Sequence, residues 1–154
     1  MITHTGAFSH VEGCDNKTIG IGTHVEGKNN IAEANYAHIE GYDNKINVGS
    51  WDTYGGDDIY SGADGSHIEG AHNIIVGGDV FSEEEWAIHV EGLNNTSKYA
   101  QYSHVEGAHN MVEANGVHAE GYYNIVKGIH SHTEGEHTVC IGIAAHAEGN
   151  GSVA

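Results

Sequence analysis

The sequence predicts an all-β chain wound as a parallel β-solenoid of about nine to ten coils of 14 residues. Three observations predict it. A His-x-Glu-Gly unit occurs nine times, beginning at His10, His24, His38, His67, His89, His104, His118, His132 and His146, at intervals of 14, 14, 29, 22, 15, 14, 14 and 14. Between the units, small or apolar residues alternate with variable ones at period two, the spacing of a strand. The repeat is also far too short for a helical solenoid, whose units run to about 33 residues or more.

Positions are numbered from the histidine. Position 2 is Val, Ile, Ala or Thr between His and Glu, mostly the β-branched residues that strands favour. Gly at position 4 and Asn at position 7 (Asn16, Asn30, Asn44, Asn73, Asn95, Asn110, Asn124) bracket a turn, since both types tolerate unusual backbone angles. Position 9 is small or apolar (Thr18, Ala32, Ile46, Ile75, Ser97, Val112, Val126, Cys140), position 11 is mostly Gly or Ala, and the residue before each histidine is usually small. Positions 2, 9, 11 and 14 therefore line a narrow interior. So thin a roll gains stability by stacking and by association with other copies, which buries more apolar surface.

The whole chain, 1–154, reads as one repeat domain with two irregular stretches. The 29-residue interval places one at about 50–65, either a loop or a degenerate coil, because Asp52-Thr53-Tyr54-Gly55 falls in register. The 22-residue interval places a loop insertion at about 78–87. Cys14 and Cys140, the two cysteines, fall seven or eight layers apart, over about 30 Å, so no disulfide joins them.

Charge excludes several functions. The chain has 22 acids, five lysines and no arginine, for a formal charge of −17. It repels phosphate backbones and offers no polybasic membrane patch, so neither nucleic-acid binding nor membrane insertion is expected. Protonating all 14 histidines would bring the charge to −3, so its charge state depends strongly on pH below about 7. The first residues, MITHTGAFSHVEG, lack the charged and apolar regions of a signal peptide. The last, Ala154, falls inside a coil, as expected of a piece of a longer fibre or of an end that stacks on another molecule.

Ser131-His132-Thr133-Glu134-Gly135, Ala145-His146-Ala147-Glu148-Gly149 and Thr138-Val139-Cys140-Ile141-Gly142 resemble the head repeats of trimeric autotransporter adhesins. Their pattern is Ser-x-Ala-x-Gly followed by Asn-Ser-Val-Ala-Ile-Gly. The Ser-His-x-Glu-Gly form also looks like repeats of bacteriophage tail-fibre proteins. Positions 8 and 10 depart from the adhesin pattern at Lys17, Lys45, Glu33, Asn47, Glu113 and Lys127. The resemblance implies a left-handed β-roll, a homotrimer, and surface attachment at an extracellular, cell-surface or virion location.

His and Glu of each unit point to one side of a strand, opposite the residue between them. Stacking then makes one file of His10, His24, His38, His67, His89, His104, His118, His132 and His146. A second file holds Glu12, Glu26, Glu40, Glu69, Glu91, Glu106, Glu120, Glu134 and Glu148. This ladder is expected to be a structural, hydrogen-bonded seam, because a stacked architecture needs the same pair in every layer. No catalytic residue, metal or cofactor is assigned. Imidazole and carboxylate are competent metal ligands, so a metal-binding or self-assembling filament is an alternative.

Recognition is expected where the repeat breaks, since insertions in neighbouring repeats often share one face. The candidate ligand-binding residues are Trp51, Asp52, Tyr54, Asp57, Asp58, Tyr60, Phe81 and Trp86, with Tyr99 and Tyr102 just beyond. Aromatic faces beside carboxylates suit a host glycan, or a host protein receptor; the other readings are that the aromatics pin these stretches to the roll with the acids solvated, or that the carboxylates hold calcium. The expected function is thus a non-enzymatic structural and adhesive module of a fibre. A glycan-cleaving tail-spike enzyme using two of these carboxylates is the alternative.

Overall fold

The computed structural model describes residues 3–4, 6–47, 63–77 and 87–154, and all regular structure among them is strand. Each coil contributes two strands. One set carries the His-x-Glu-Gly units: β2 (His10–Val11), β4 (His24–Val25), β6 (His38–Tyr42), β8 (His67–Ala71), β10 (His89–Leu93), β12 (His104–Ala108), β14 (His118–Tyr122), β16 (His132–Glu136) and β18 (His146–Asn150). The other set is β1 (Thr3–His4), β3 (Lys17–Thr18), β5 (Ile31–Ala32), β7 (Lys45–Asn47), β9 (Ile74–Val76), β11 (Thr96–Lys98), β13 (Met111–Val112), β15 (Ile125–Val126) and β17 (Val139–Cys140). Even-numbered and odd-numbered strands form two separate nine-stranded parallel sheets, the architecture of a parallel β-solenoid.

The core lies between the sheets, on the positions the alternation picks out. Val25, Ile39, Ile68, Val90 and Val105 at position 2 meet Ala32, Ile46, Ile75, Val112 and Val126 at position 9, all fully buried. Each large aliphatic side chain so buried contributes about 1.5–3 kcal/mol. Positions 11 and 14 close the ends of the roll with Ala34, Ala114, Thr23, Ala37, Ser66 and Ser103. The serines also tie layers together: the Ser103 hydroxyl donates to Ala114 O at 3.1 Å and accepts from Val117 N at 3.2 Å.

Two details differ from the sequence reading. Gly at position 4 lies within a strand, as Gly41 does in β6, with φ of 112°. The turn pivots instead on position 6, where Asp15, Asn29, Asp43, His72, Asn94, His109, Tyr123 and His137 adopt φ of 54–59°. Asn at position 7 is present for its side chain. Asn30 Nδ2 donates to Glu26 O at 2.7 Å in its own coil and to Gly41 O at 2.9 Å in the next. Its Oδ1 accepts from Asn44 N at 2.9 Å. The same bonds recur from Asn16 to Asn124, so a buried asparagine ladder runs up the roll.

β6 pairs directly with β8, His38 opposite His67, and β7 pairs directly with β9. Residues 48–62, and with them nearly all of the stretch at about 50–65, lie outside the described residues. β8 likewise pairs directly with β10 across the 22-residue interval.

Candidate functional site

Two features merit consideration as sites: the His/Glu ladder and a groove beside it. In the ladder, parallel pairing sets His on His and Glu on Glu from β6 to β18. The imidazoles stack with ring centroids 4.7–4.9 Å apart, the layer spacing of a sheet. They are near parallel, except that His10 is tilted by 54° to His24.

Each imidazole faces the carboxylate of its own unit. His24 Nε2 lies 2.8 Å from Glu26 Oε1, and His38 Nε2 lies 3.0 Å from Glu40 Oε1, both hydrogen bonds. A carboxylate only accepts, so Nε2 carries the proton in these pairs. Further along, the separations open to 3.7 Å in His89–Glu91, His104–Glu106 and His118–Glu120, and to 4.0 Å in His132–Glu134 and His146–Glu148. The Nε2 atoms of His67, His89, His104, His118 and His132 are buried without a hydrogen-bond partner among the described residues. Burial and the adjacent imidazoles of His38 and His89 hold the His67 pKa below its ordinary value of 6.5, against the pull of Glu69 and Glu40. At the N-terminal end, His10, His24 and Glu26 offer three ligand-type atoms within 4.8 Å of one another. Two ligands of one tetrahedral zinc ion lie roughly 3.4 Å apart, so this cluster would have to contract to hold an ion.

The groove lies where the two irregular stretches rejoin the roll. Gly65 and Ala87 form part of its lining, with Ile88, the imidazoles of His67, His89 and His104, and Tyr102 and Ser103, around a volume of about 340 Å³. Among the described residues, Tyr102 is the candidate aromatic that borders it. Tyr99, the extra residue of the 15-residue interval, is exposed but not part of the lining. Trp51, Asp52, Tyr54, Asp57, Asp58, Tyr60, Phe81 and Trp86 lie outside the described residues.

The sequence reading passed over other exposed rings. Phe8 and Tyr36 stand, like Tyr102, at position 13, where Gly22, Gly65 and Gly116 stand in other layers. The exchange of glycine and aromatic at one coil position was the available signal. On the opposite edge, His109 stacks on Tyr123 at 4.5 Å and Tyr123 on His137 at 5.4 Å, with Tyr122 edge-on to Tyr123.

Fold and site define a parallel β-solenoid with an imidazole–carboxylate ladder along one sheet and a groove at its irregular layers. No protein-family model matches the chain, and no curated protein matches it. No helix among the described residues is long and apolar enough to cross a membrane.

Proposed function

We propose that this chain is a structural and adhesive module of an extracellular or virion fibre, a homotrimeric rod that binds a host surface glycan without cleaving it. The supporting observation is the groove of about 340 Å³ at the layers into which both irregular stretches return, bordered by Tyr102 and three imidazoles. A concave site with apolar and aromatic walls and a few polar groups suits a sugar. The ladder is a seam in this reading. Its pairs repeat without differentiation, whereas acid–base catalysis needs two groups whose environments set them apart.

The test is binding of the purified protein to whole cells and to their isolated surface polysaccharides, with product analysis by mass spectrometry. Binding without shortened products supports the adhesive module. Shortened products would establish the enzyme instead. Failure to bind any polysaccharide would remove the adhesive role.

A further inference from the structure

Position 13 is a left-handed turn at Phe8, Gly22, Tyr36, Gly65, Tyr102, Gly116, His130 and Ala144, with Ala87 the exception among the described residues. The bond from its N–H to the position-12 carbonyl of the preceding layer recurs in Gly22, Tyr36, Gly65, Gly116, His130 and Ala144, at 2.7–3.0 Å. Glycine suits that conformation, and it fills Gly22, Gly65 and Gly116 with φ of 65–70°. Yet Phe8, Tyr36 and Tyr102 occupy the same position with φ of 52–57°, a conformation costly for a side chain with a Cβ. These rings are not core: Phe8 is 96% exposed, Tyr36 70% and Tyr102 58%.

The neighbouring glycines make room for the rings. A Cβ on Gly22 would come within 2.9 Å of the Tyr36 ring, and one on Gly116 within 2.6 Å of His130. The Tyr36 ring therefore lies over Gly22, and the His130 imidazole over Gly116. At Gly65 nothing among the described residues lies within 4 Å of where a Cβ would stand, and this step adjoins the groove that Tyr102 borders. The edge is thus a row of ring platforms broken by one groove, and there the histidine file runs alongside. Backbone strain held at exposed aromatics is a mark of function.

We propose that this edge binds a linear, uncharged polysaccharide laid along the roll axis, its sugars stacked on Phe8, Tyr36 and Tyr102 and its hydroxyls hydrogen-bonded by imidazoles of the ladder. The inference rests on the adhesive reading and supplies its ligand class. Two layers separate Phe8 from Tyr36 and three separate Tyr36 from Tyr102, roughly 10 and 14 Å, so one sugar cannot span two platforms and a chain is required. The formal charge of −17 repels polyanions, so a neutral chain fits better than an acidic one.

The experiment is calorimetric titration of the full chain with cellohexaose, chitohexaose and xylohexaose, their disaccharides, and heparin. It is repeated with the double variant Tyr36→Gly, Tyr102→Gly. Glycine suits the left-handed turn, so the variant keeps its circular dichroism and melts no lower than the parent. At least one neutral hexasaccharide binds ten-fold or more tighter than its disaccharide, heparin does not compete, and the double variant loses at least ten-fold in affinity. Equal affinity in parent and variant overturns the inference, as does preference for heparin. A variant that changes oligomeric state by light scattering also overturns it, identifying the strip as a face between copies. If the parent binds whole cells and the variant binds them equally, this site fails while the adhesive reading stands. If the parent binds no surface glycan at all, both fail.

Discussion

At the scale of single residues, two of the three invariant residues of the coil hold their positions for different reasons. Gly at position 4 is fixed by sterics: a Cβ on Gly70 would overlap the Gly92 carbonyl oxygen in the next layer, and its φ of 110° strains any side chain. Gly70→Ala should therefore destabilise by about 3 kcal/mol or more, measured by urea unfolding. A loss below about 1 kcal/mol would show that the layers can move apart. His at position 1 is governed by electrostatics. Adjacent imidazolium rings at the layer spacing repel by roughly 1 kcal/mol even at water-like dielectric. His67, whose pKa is lowered by burial and by His38 and His89, binds more protons unfolded than folded in the range below 6.5. Its contribution to stability is complete above that value and declines as the pH falls beneath it. Tm should fall between about pH 7 and pH 5.5, and His67→Gln should make the fall shallower. A Tm that rises on acidification would assign the ladder the opposite sign.

At the scale of the element, the asparagine ladder is what turns pairs of short strands into a continuous stack. Many strands are only two residues long, too short to hold register by themselves, and each buried asparagine adds three bonds across the turn. Asn95 donates to Glu91 O and Gly107 O and accepts from Asn110 N, at 2.8–2.9 Å. Asn95→Ala removes these three bonds and leaves Glu91 O and Asn110 N without their asparagine partner, an expected loss of about 2–4 kcal/mol in chemical denaturation. The ladder ends at Thr138, whose hydroxyl donates to Asn124 Oδ1 at 2.7 Å. Thr138→Asn should extend it by one layer toward Glu134 O and Gly149 O and raise stability by about 1 kcal/mol. A lower Tm in that variant would show that the last coil is not equivalent to the others.

At the scale of the whole molecule, each layer touches only its neighbours, so stability sums over layer interfaces. Amide exchange should be slowest in the middle layers, near Val90 and Val105, and faster at β2 and β18, which edge their sheet. Uniform protection from end to end would instead indicate stacking of molecules on one another. The proposed trimer is checked by light scattering, with three chains per particle and a Tm that rises with protein concentration. A concentration-independent monomer would remove the trimer.

The amino-acid sequence alone determined the coil. Its period, its two strands, its interior positions and the co-alignment of His with His and Glu with Glu all follow from the 14-residue spacing, because parallel stacking repeats whatever one layer does. Tertiary structure decided what depends on contacts between layers. Asn30 looks like a turn residue in one coil and becomes a buried bridge only when the next coil supplies Gly41 and Asn44. Tyr36 reads as one more surface tyrosine until Gly22 is seen beneath it. The groove at Gly65, Ala87 and Tyr102 joins residues whose spacing the irregular stretches conceal, and only the pairing of β6 with β8 and of β8 with β10 brings them to one edge.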